Sequence, residues 1–277
     1  MHLKFLVFLV LFFPLIVKWN SLAASKLIYE TRSKYSHIKV KDKNGRRYLY
    51  FVRDTGREVI ESAIYVNKPY ELCIPYTKFM FSSRLFVPQA KHVLIIGLGG
   101  GSMVHFINHY FPETLVDSVE IDPKIVSIAR KYFFLRPRKG NHIIIQNAYK
   151  YIASSGSKYD IIYMDAFLKP SAITDSTGMP ENLKSKIFYT RLKKHLTKNG
   201  IVVFNLNSHK NRKLDIENIK KSFFQTFQFK VPNRRNLILV AVTGPGFTRD
   251  VLEKNGSFLD REKKIHFSMK ALLDYLK

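Results

Sequence analysis

The chain has one cysteine, Cys73, and one tryptophan in 277 residues, which excludes an intrachain disulfide and a thiolate metal cluster. Acidic residues are scarce as well: 21 Asp and Glu against 46 Lys and Arg leave a formal charge of +25. No apolar run reaches the about 20 residues that an ordinary membrane-crossing helix needs. Zinc-finger spacings, RNP motifs and heptads are all missing, so the basic excess has no recognisable module for reading nucleic acid, and nucleic acid is not an expected partner. What remains is ordinary globular composition, 46% hydrophobic and 24% charged, enough for one large domain or two small ones.

The one long apolar run is Phe5–Val17, 13 residues preceded by Lys4 and followed by Lys18 and Trp19. It fits the apolar region of a secretory signal, with Ser21-Leu22-Ala23 or Ala24 suited to signal peptidase, and predicts an exported or periplasmic protein. The heavier positive charge after the run (Lys18, Lys26, Arg32, Lys34) argues for the alternative, an inner-membrane anchor that keeps the remainder cytoplasmic. Residues 1–24 therefore stand apart as a signal peptide or anchor.

Residues 25–88 read as a small β domain plus a helix. Tyr35 to Val40 alternates, Lys43-Asn44-Gly45 turns, Arg46 to Arg53 alternates again, and Thr55-Gly56 leads into Glu58 to Tyr65, the pattern of an antiparallel sheet. Pro69 to Leu85 then carries apolar residues at helical spacing, with Cys73 among them as a small core residue. From residue 89 to 245 the period changes. Short apolar strands at Val93–Ile96, Val116–Ile121, His142–Gln146, Asp160–Met164, Ile201–Asn205 and Leu237–Val242, with a partner at Phe227–Val231, alternate with helical stretches. Those helical stretches are Met103–Tyr110, Ile125–Tyr132, Ala148–Ser154 and Leu183–Leu196. The alternation predicts an α/β, doubly wound, Rossmann-like sheet with its ligand at the carboxyl ends of the strands. Residues 246–277 form a lysine-rich extension of two helices, Arg249–Leu259 and Phe267–Leu276. Docking on the domain, pairing with a second copy as a homodimer, and lying on an anionic membrane surface are its three candidate roles.

Gly97, Gly99 and Gly101 follow the first strand of this sheet, where they let bare backbone approach a ligand at the amino end of a helix. Glu120 lies 19 residues after Gly101, at the tip of the second strand, placed to accept hydrogen bonds from a ribose diol. A dinucleotide fingerprint would need glycine where Ser102 stands. G-x-G-x-G followed by Val119-Glu120-Ile121-Asp122-Pro123 suits an S-adenosyl nucleoside, which has no pyrophosphate to cradle. Asp165 ends the apolar strand Ile162-Tyr163-Met164, placed to take a proton from an attacking nucleophile. His105 and His109 have metal spacing but no third ligand, so they read as packing or surface residues and no metal is expected. Met179-Pro180-Glu181 reads as either a lid or a surface loop.

Val93 to Arg130, with Asp165 and Gly200 to Asn205, resembles the polyamine aminopropyltransferase (spermidine synthase) family. More closely it is similar to the spermidine-synthase-like branch of class I methyltransferase folds, with Gly97-Leu98-Gly99-Gly100-Gly101-Ser102, Asp165-Ala166-Phe167 and Pro180-x-x-Leu183. The resemblance implies a seven-stranded methyltransferase sheet behind a small N-terminal β domain. It implies an alkyltransferase that uses S-adenosylmethionine or its decarboxylated form as substrate and an amine as acceptor. Under it, Gly97, Gly99 and Gly101 form the nucleoside loop, Glu120 beside Ile121 holds the ribose, Asn147 and Ala148 border the adenine, and Asp165 is the catalytic aspartate.

Three positions depart from the family pattern. Gly100 stands where an aspartate holds the donor's amine, Leu168 where the second acid of D-x-x-D falls, and Asn147 where an aspartate meets the adenine amino group. The family's glutamine in the leading domain falls on Glu61. A polyamine acceptor needs several carboxylates, so the loss of two, with a repelling charge of +25, favours methyl transfer to a protein, lipid or small molecule as the alternative to aminopropyl transfer. A third reading is a non-catalytic envelope module that retains the fold. Only +4 of the charge lies in residues 91–170, against +12 in residues 171–277.

Overall fold

In the computed structural model, which describes residues 25–277, four strands open the chain: β1 (Lys26–Arg32), β2 (His37–Lys43), β3 (Arg46–Val52) and β4 (Glu58–Tyr65). They pair in that order as an antiparallel sheet. The expected signal or anchor falls outside the described residues, and among those described no helix is long and apolar enough to cross a membrane. Asn44 and Gly45, both at positive φ, make the two-residue turn that joins β2 to β3. Alternation buries Ile38 and Val40 on one face of β2, and that face packs on Ile125, Ile128 and Phe133. The sheet starts earlier than its sequence pattern does. β1 is an edge strand with a bulge between Leu27 and Tyr29, so no alternation marks it.

The helix expected over Pro69–Leu85 is two short helices, α1 (Pro75–Met80) and α2 (Ser83–Phe86). Pro75 at the first helical position sets the start, and the residues before it fold as turns closed by Lys68 N–H to Tyr65 O and Glu71 N–H to Lys68 O. Cys73, expected in the core, is only half-buried.

The second sheet contains β5 (His92–Ile96), β6 (Leu115–Glu120), β7 (Asn141–Ile145), β8 (Tyr159–Met164), β9 (Leu196–Leu206), β10 (Gln225–Lys230) and β11 (Leu237–Val242). Between them run α3 (Ser102–Tyr110), α4 (Pro123–Tyr132), α5 (Ala148–Ser154), α6 (Lys186–Lys194) and α7 (Arg212–Ser222). Strand order is β10-β11-β9-β8-β5-β6-β7, with β11 antiparallel to both neighbours and the other pairs parallel. The doubly wound, seven-stranded expectation holds. The chain winds outward from β5 through β6 to β7, then crosses back to lay β8 on the other side of β5. That crossing is the topological switch point, where ligands bind in such sheets.

Helix boundaries differ in three places. α7 has no counterpart in the sequence reading, because only Asp215 and Ile219 of its eleven residues are buried. The expected helix from Leu183 starts at Lys186, where the Ser185 hydroxyl accepts the Phe188 N–H at 3.2 Å; Glu181–Lys184 before it is a 3-10 turn. In the extension, α8 (Arg249–Lys263) is followed by a 3-10 turn at Lys270–Tyr275 and not by a second α-helix. Asp260 draws that segment back, accepting from Ser268 Oγ and Met269 N–H. Leu272 and Leu273 enter the main core, while Lys277 N–H bonds Gln228 O on the edge strand β10. The extension docks on its own domain, and the apolar side that a membrane would have taken is covered.

A methyl group on Gly97 would lie 2.2 Å from the Asp165 carbonyl oxygen, and Gly97 has φ +97°. Gly97→Ala is therefore expected to lower stability by about 3 kcal/mol, read from urea unfolding midpoints.

Candidate active site

The loop leaving β5 is held open by backbone geometry. Gly97 and Gly99 take positive φ, and Gly101 does so as the residue before α3. Glu120, at the end of β6, fixes the loop from below: one carboxylate oxygen accepts the Leu98 N–H at 3.0 Å and the other the Asp122 N–H at 2.9 Å. Each oxygen keeps a lone pair for a ligand. Burial pushes the Glu120 carboxyl up, and these backbone donors partly restore it.

A cavity of about 470 Å³ opens above the switch point. Of the residues assigned from sequence, Gly97, Gly99, Glu120, Ile121, Asn147, Ala148 and Asp165 border it. Gly101 does not; it turns the chain into α3 against the Leu135 side chain. Asn147 caps α5, its Oδ1 accepting the N–H of Tyr149 at 2.9 Å and of Lys150 at 3.3 Å. That oxygen is thus committed, and what Asn147 can offer an adenine is its amide N–H, which suits a ring nitrogen rather than the amino group expected there.

Asp165 is aimed by two donors. Asn205 Nδ2, at the end of β9, donates to one oxygen at 2.8 Å, and the Tyr76 hydroxyl on α1 donates to the other at 3.1 Å. Burial raises the Asp165 carboxyl from its ordinary value, against the lowering effect of both hydrogen bonds. Neither Tyr76 nor Asn205 was singled out in the sequence. Tyr76 read as one apolar residue of a helix. Asn205 carries a usable signal, a polar residue ending an apolar strand as Asp165 does.

Glu61 on β4 also faces the cavity. Its Oε1 is buried without a hydrogen-bond partner among the described residues, and the nearest cation, Arg53, stands 3.6 Å away. Burial pushes the Glu61 carboxyl up to about 7; Arg53 opposes the rise and the charge of Asp165 adds to it. With Glu120, Asp122, Asp165 and Glu181, Glu61 makes five carboxylates around the cavity, and no Lys, Arg or His lines it among the described residues. The expectation of an acid-depleted site is corrected in this respect: three family positions lack acids, yet the charged side chains that line the cavity are all of one sign among the described residues. At Gly100 the space is filled, since a Cβ would lie 2.6 Å from the Phe133 ring.

The segment after β8 closes one wall. Asp175 Oδ1 gathers the N–H groups of Thr177, Gly178 and Met179, while Lys184 Nζ reaches Asp175 at 3.2 Å and Asp215 at 3.5 Å. His209 Nε2–H donates to Asp215 Oδ2 at 2.8 Å. Asp175, His209 and Asp215 lie close enough to share a cation, and the Lys184 ammonium supplies one. Arg53 ties the same segment to the small sheet through the carbonyls of Leu168 and Thr177. Pro180 and Glu181 consequently border the cavity and are not a free surface loop. His105 bonds the Phe133 carbonyl at 2.8 Å and His109 stacks on Tyr70, so both are packing residues.

The family model of the spermine/spermidine synthase domain matches residues 76–240. The chain belongs to the spermine/spermidine synthase family. Membership makes it an enzyme of the spermidine-synthase-like kind. The polyamine aminopropyltransferase of Vibrio vulnificus is 30% identical over 76% of this chain and 70% of its own length. The human eEF1A lysine and N-terminal methyltransferase is 30% identical over 51% of this chain, but that match is 22% of its length. Among solved structures, a probable spermidine synthase from Corynebacterium glutamicum shares the fold at TM-score 0.67 and 20% identity, covering 84% of this chain and 86% of that one. Human methyltransferase-like protein 13 in complex with SAH shares it at TM-score 0.63 and 22% identity, covering 69% and 93%.

Within this spermidine-synthase-like site, Glu61 fits best when protonated. Its contribution to stability is complete below the ordinary glutamate value of 4.5 and is lost as pH rises through about 7. Glu61→Gln is expected to be more stable than the unaltered protein at pH 8 by about 1–3 kcal/mol, with the difference vanishing near pH 5 in thermal unfolding.

Proposed function

We propose that the protein transfers an alkyl group, aminopropyl in the favoured reading, from the sulfonium centre of an S-adenosyl nucleoside to an amine. The observation that carries this is the lining of the cavity, five carboxylates and no basic side chain among the described residues, in a chain of net charge +25. Both reactants are cations, a sulfonium and an ammonium, and a low-dielectric pocket with fixed negative groups favours both. The same lining disfavours a donor that carries its own carboxylate, so decarboxylated S-adenosylmethionine suits it better than S-adenosylmethionine.

In this reading Glu120 accepts the ribose hydroxyls with the lone pairs that Leu98 and Asp122 leave free. Gly97 and Gly99 let the backbone approach the nucleoside, Gly101 starts the helix behind it, and Ile121, Asn147 and Ala148 border the base. The amine's lone pair forms a bond to the sulfonium carbon, the carbon–sulfur bond breaks with its electrons left on a neutral thioether, and Asp165 takes the nitrogen's proton. The raised pKa of Asp165 makes it a better proton acceptor than an exposed aspartate. Tyr76 and Asn205 keep its oxygens directed at the reacting nitrogen.

One observation supports methyl transfer as a second reading. Phe133 fills the space beside Gly100, so no acid at that position holds a donor's amine. Calorimetric titration with decarboxylated S-adenosylmethionine, S-adenosylmethionine and methylthioadenosine separates the readings. Tighter binding of the decarboxylated nucleoside is expected; preference for the carboxylated form would transfer the conclusion to methyl transfer, and binding of none would leave a non-catalytic module. Asp165→Asn is expected to lower turnover at least a hundredfold while donor affinity stays within about twofold. Equal loss of both would make Asp165 a structural residue.

A further inference from the structure

We infer that the acceptor is a primary amine on an apolar stem, carrying a single positive charge, and that Glu61 and Asp165 together hold its reacting nitrogen. The inference rests on the alkyl-transfer reading above and names its substrate class. A diamine or polyamine has a second ammonium, which needs an anionic partner at the far end of its chain. The acids of this cavity do not supply one. Glu120 is bound to the Leu98 and Asp122 backbones. Asp122 caps α4 through the Lys124 N–H and takes the Ser33 hydroxyl. Glu181 pairs with Lys184 at 3.1 Å. Two carboxylates remain, Asp165 and Glu61, and both border the cavity.

Their charge matches one cation. The Asp165 charge is among the causes that raise Glu61, to about 7, so near neutrality the two acids together carry less than two full negative charges. Arg53 does not satisfy Glu61 by itself: it stands 3.6 Å off, and its guanidinium donates to the Leu168 and Thr177 carbonyls. Glu61 borders the cavity with 14% of its side chain exposed, so a bound ammonium would face this carboxyl group, whose Oε1 is itself occluded beside Arg53. Apolar side chains border the same cavity. Leu168 stands three residues after Asp165, Phe51 and Phe167 border the same space, and Ile173, 71% exposed, lies at the rim. An alkyl or aryl stem gains from these contacts, whereas a second ammonium among them would be desolvated without a partner.

The step balances as before: the nitrogen bonds carbon, sulfur leaves as a thioether, and the displaced proton passes to the Glu61–Asp165 pair. The test compares n-hexylamine with 1,6-diaminohexane, equal in stem length and different only in the second ammonium, using the full chain and decarboxylated S-adenosylmethionine, or S-adenosylmethionine if that donor binds. Hexylamine is expected to have at least a tenfold higher kcat/KM. Leu168→Asp should move that ratio at least tenfold toward the diamine. Glu61→Gln should raise the amine KM at least tenfold while donor affinity is unchanged. Equal or better use of the diamine by the unaltered protein, or an unchanged amine KM in Glu61→Gln, overturns the inference and leaves alkyl transfer standing. Transfer to neither amine by a protein that binds the donor overturns transfer to an amine itself, and this inference with it.

Discussion

The backbone of Gly97 lies against the backbone of Asp165, and the geometry of the site depends on that contact. β5 and β8 are parallel neighbours at the switch point, and the Asp165 N–H extends their ladder by bonding Ile96 O at 2.9 Å. At Gly97, the residue after β5, no Cβ fits. The glycine loop and the backbone of Asp165 are thus placed relative to each other by main chain alone, and Asn205 and Tyr76 then direct the carboxylate. Glu120 then ties the loop to β6, and Asn205 ties Asp165 to β9. Four adjacent strands, β9, β8, β5 and β6, each contribute one rigid point to the same few ångströms of space. Preorganisation of this kind is what in-line transfer asks of a protein.

Net charge and site charge have opposite signs here, and distance decides which a ligand feels. Surface lysines act on a diffusing cation through solvent, where screening removes most of their effect beyond about 8 Å at physiological salt. Inside the cavity the carboxylates act at contact distance and with little water between. The charge of +25 therefore says little about which ligand the cavity accepts. It does bear on the cost of assembling the acids: five carboxylates around one cavity repel, and backbone donors, a lysine and protonation relieve them one by one. Glu61 is the acid left with the least relief.

The parts of the site that could be read from sequence are those where function and secondary structure share one local pattern. A strand of four apolar residues ending in glycines, another ending in Glu120 and a third ending in Asp165 each show their role within about ten residues of chain. Those that could not be read join distant segments. Tyr76 meets Asp165 across 89 residues and Asn205 meets it across 40, and nothing local to either residue records the pairing. α7 escaped because its amphipathic stripe is two residues wide, and β1 because an edge strand with a bulge has no alternation to show. Glu61 was placed by resemblance, but its burial and missing partner are properties of the folded cavity only.

Two of the three positions where the chain lacks a family acid, 100 and 168, differ physically. At position 100 the vacancy is closed: the Phe133 ring fills it, and that ring belongs to the same cluster as Ile38, Ile125 and Ile128, which seats the small sheet on α4. A carboxylate there would have to displace a core aromatic and would loosen the joint between the two sheets. At position 168 nothing of the kind holds. Leu168 borders the cavity, and its backbone, not its side chain, carries the bonds to Gly178 and Arg53. Its side chain can therefore change the character of the cavity wall without disturbing the segment that supports it. In the proposed reading the donor end is thus committed by packing, while the acceptor end is set by Leu168 and by Glu61, whose Oε1 has no hydrogen-bond partner among the described residues.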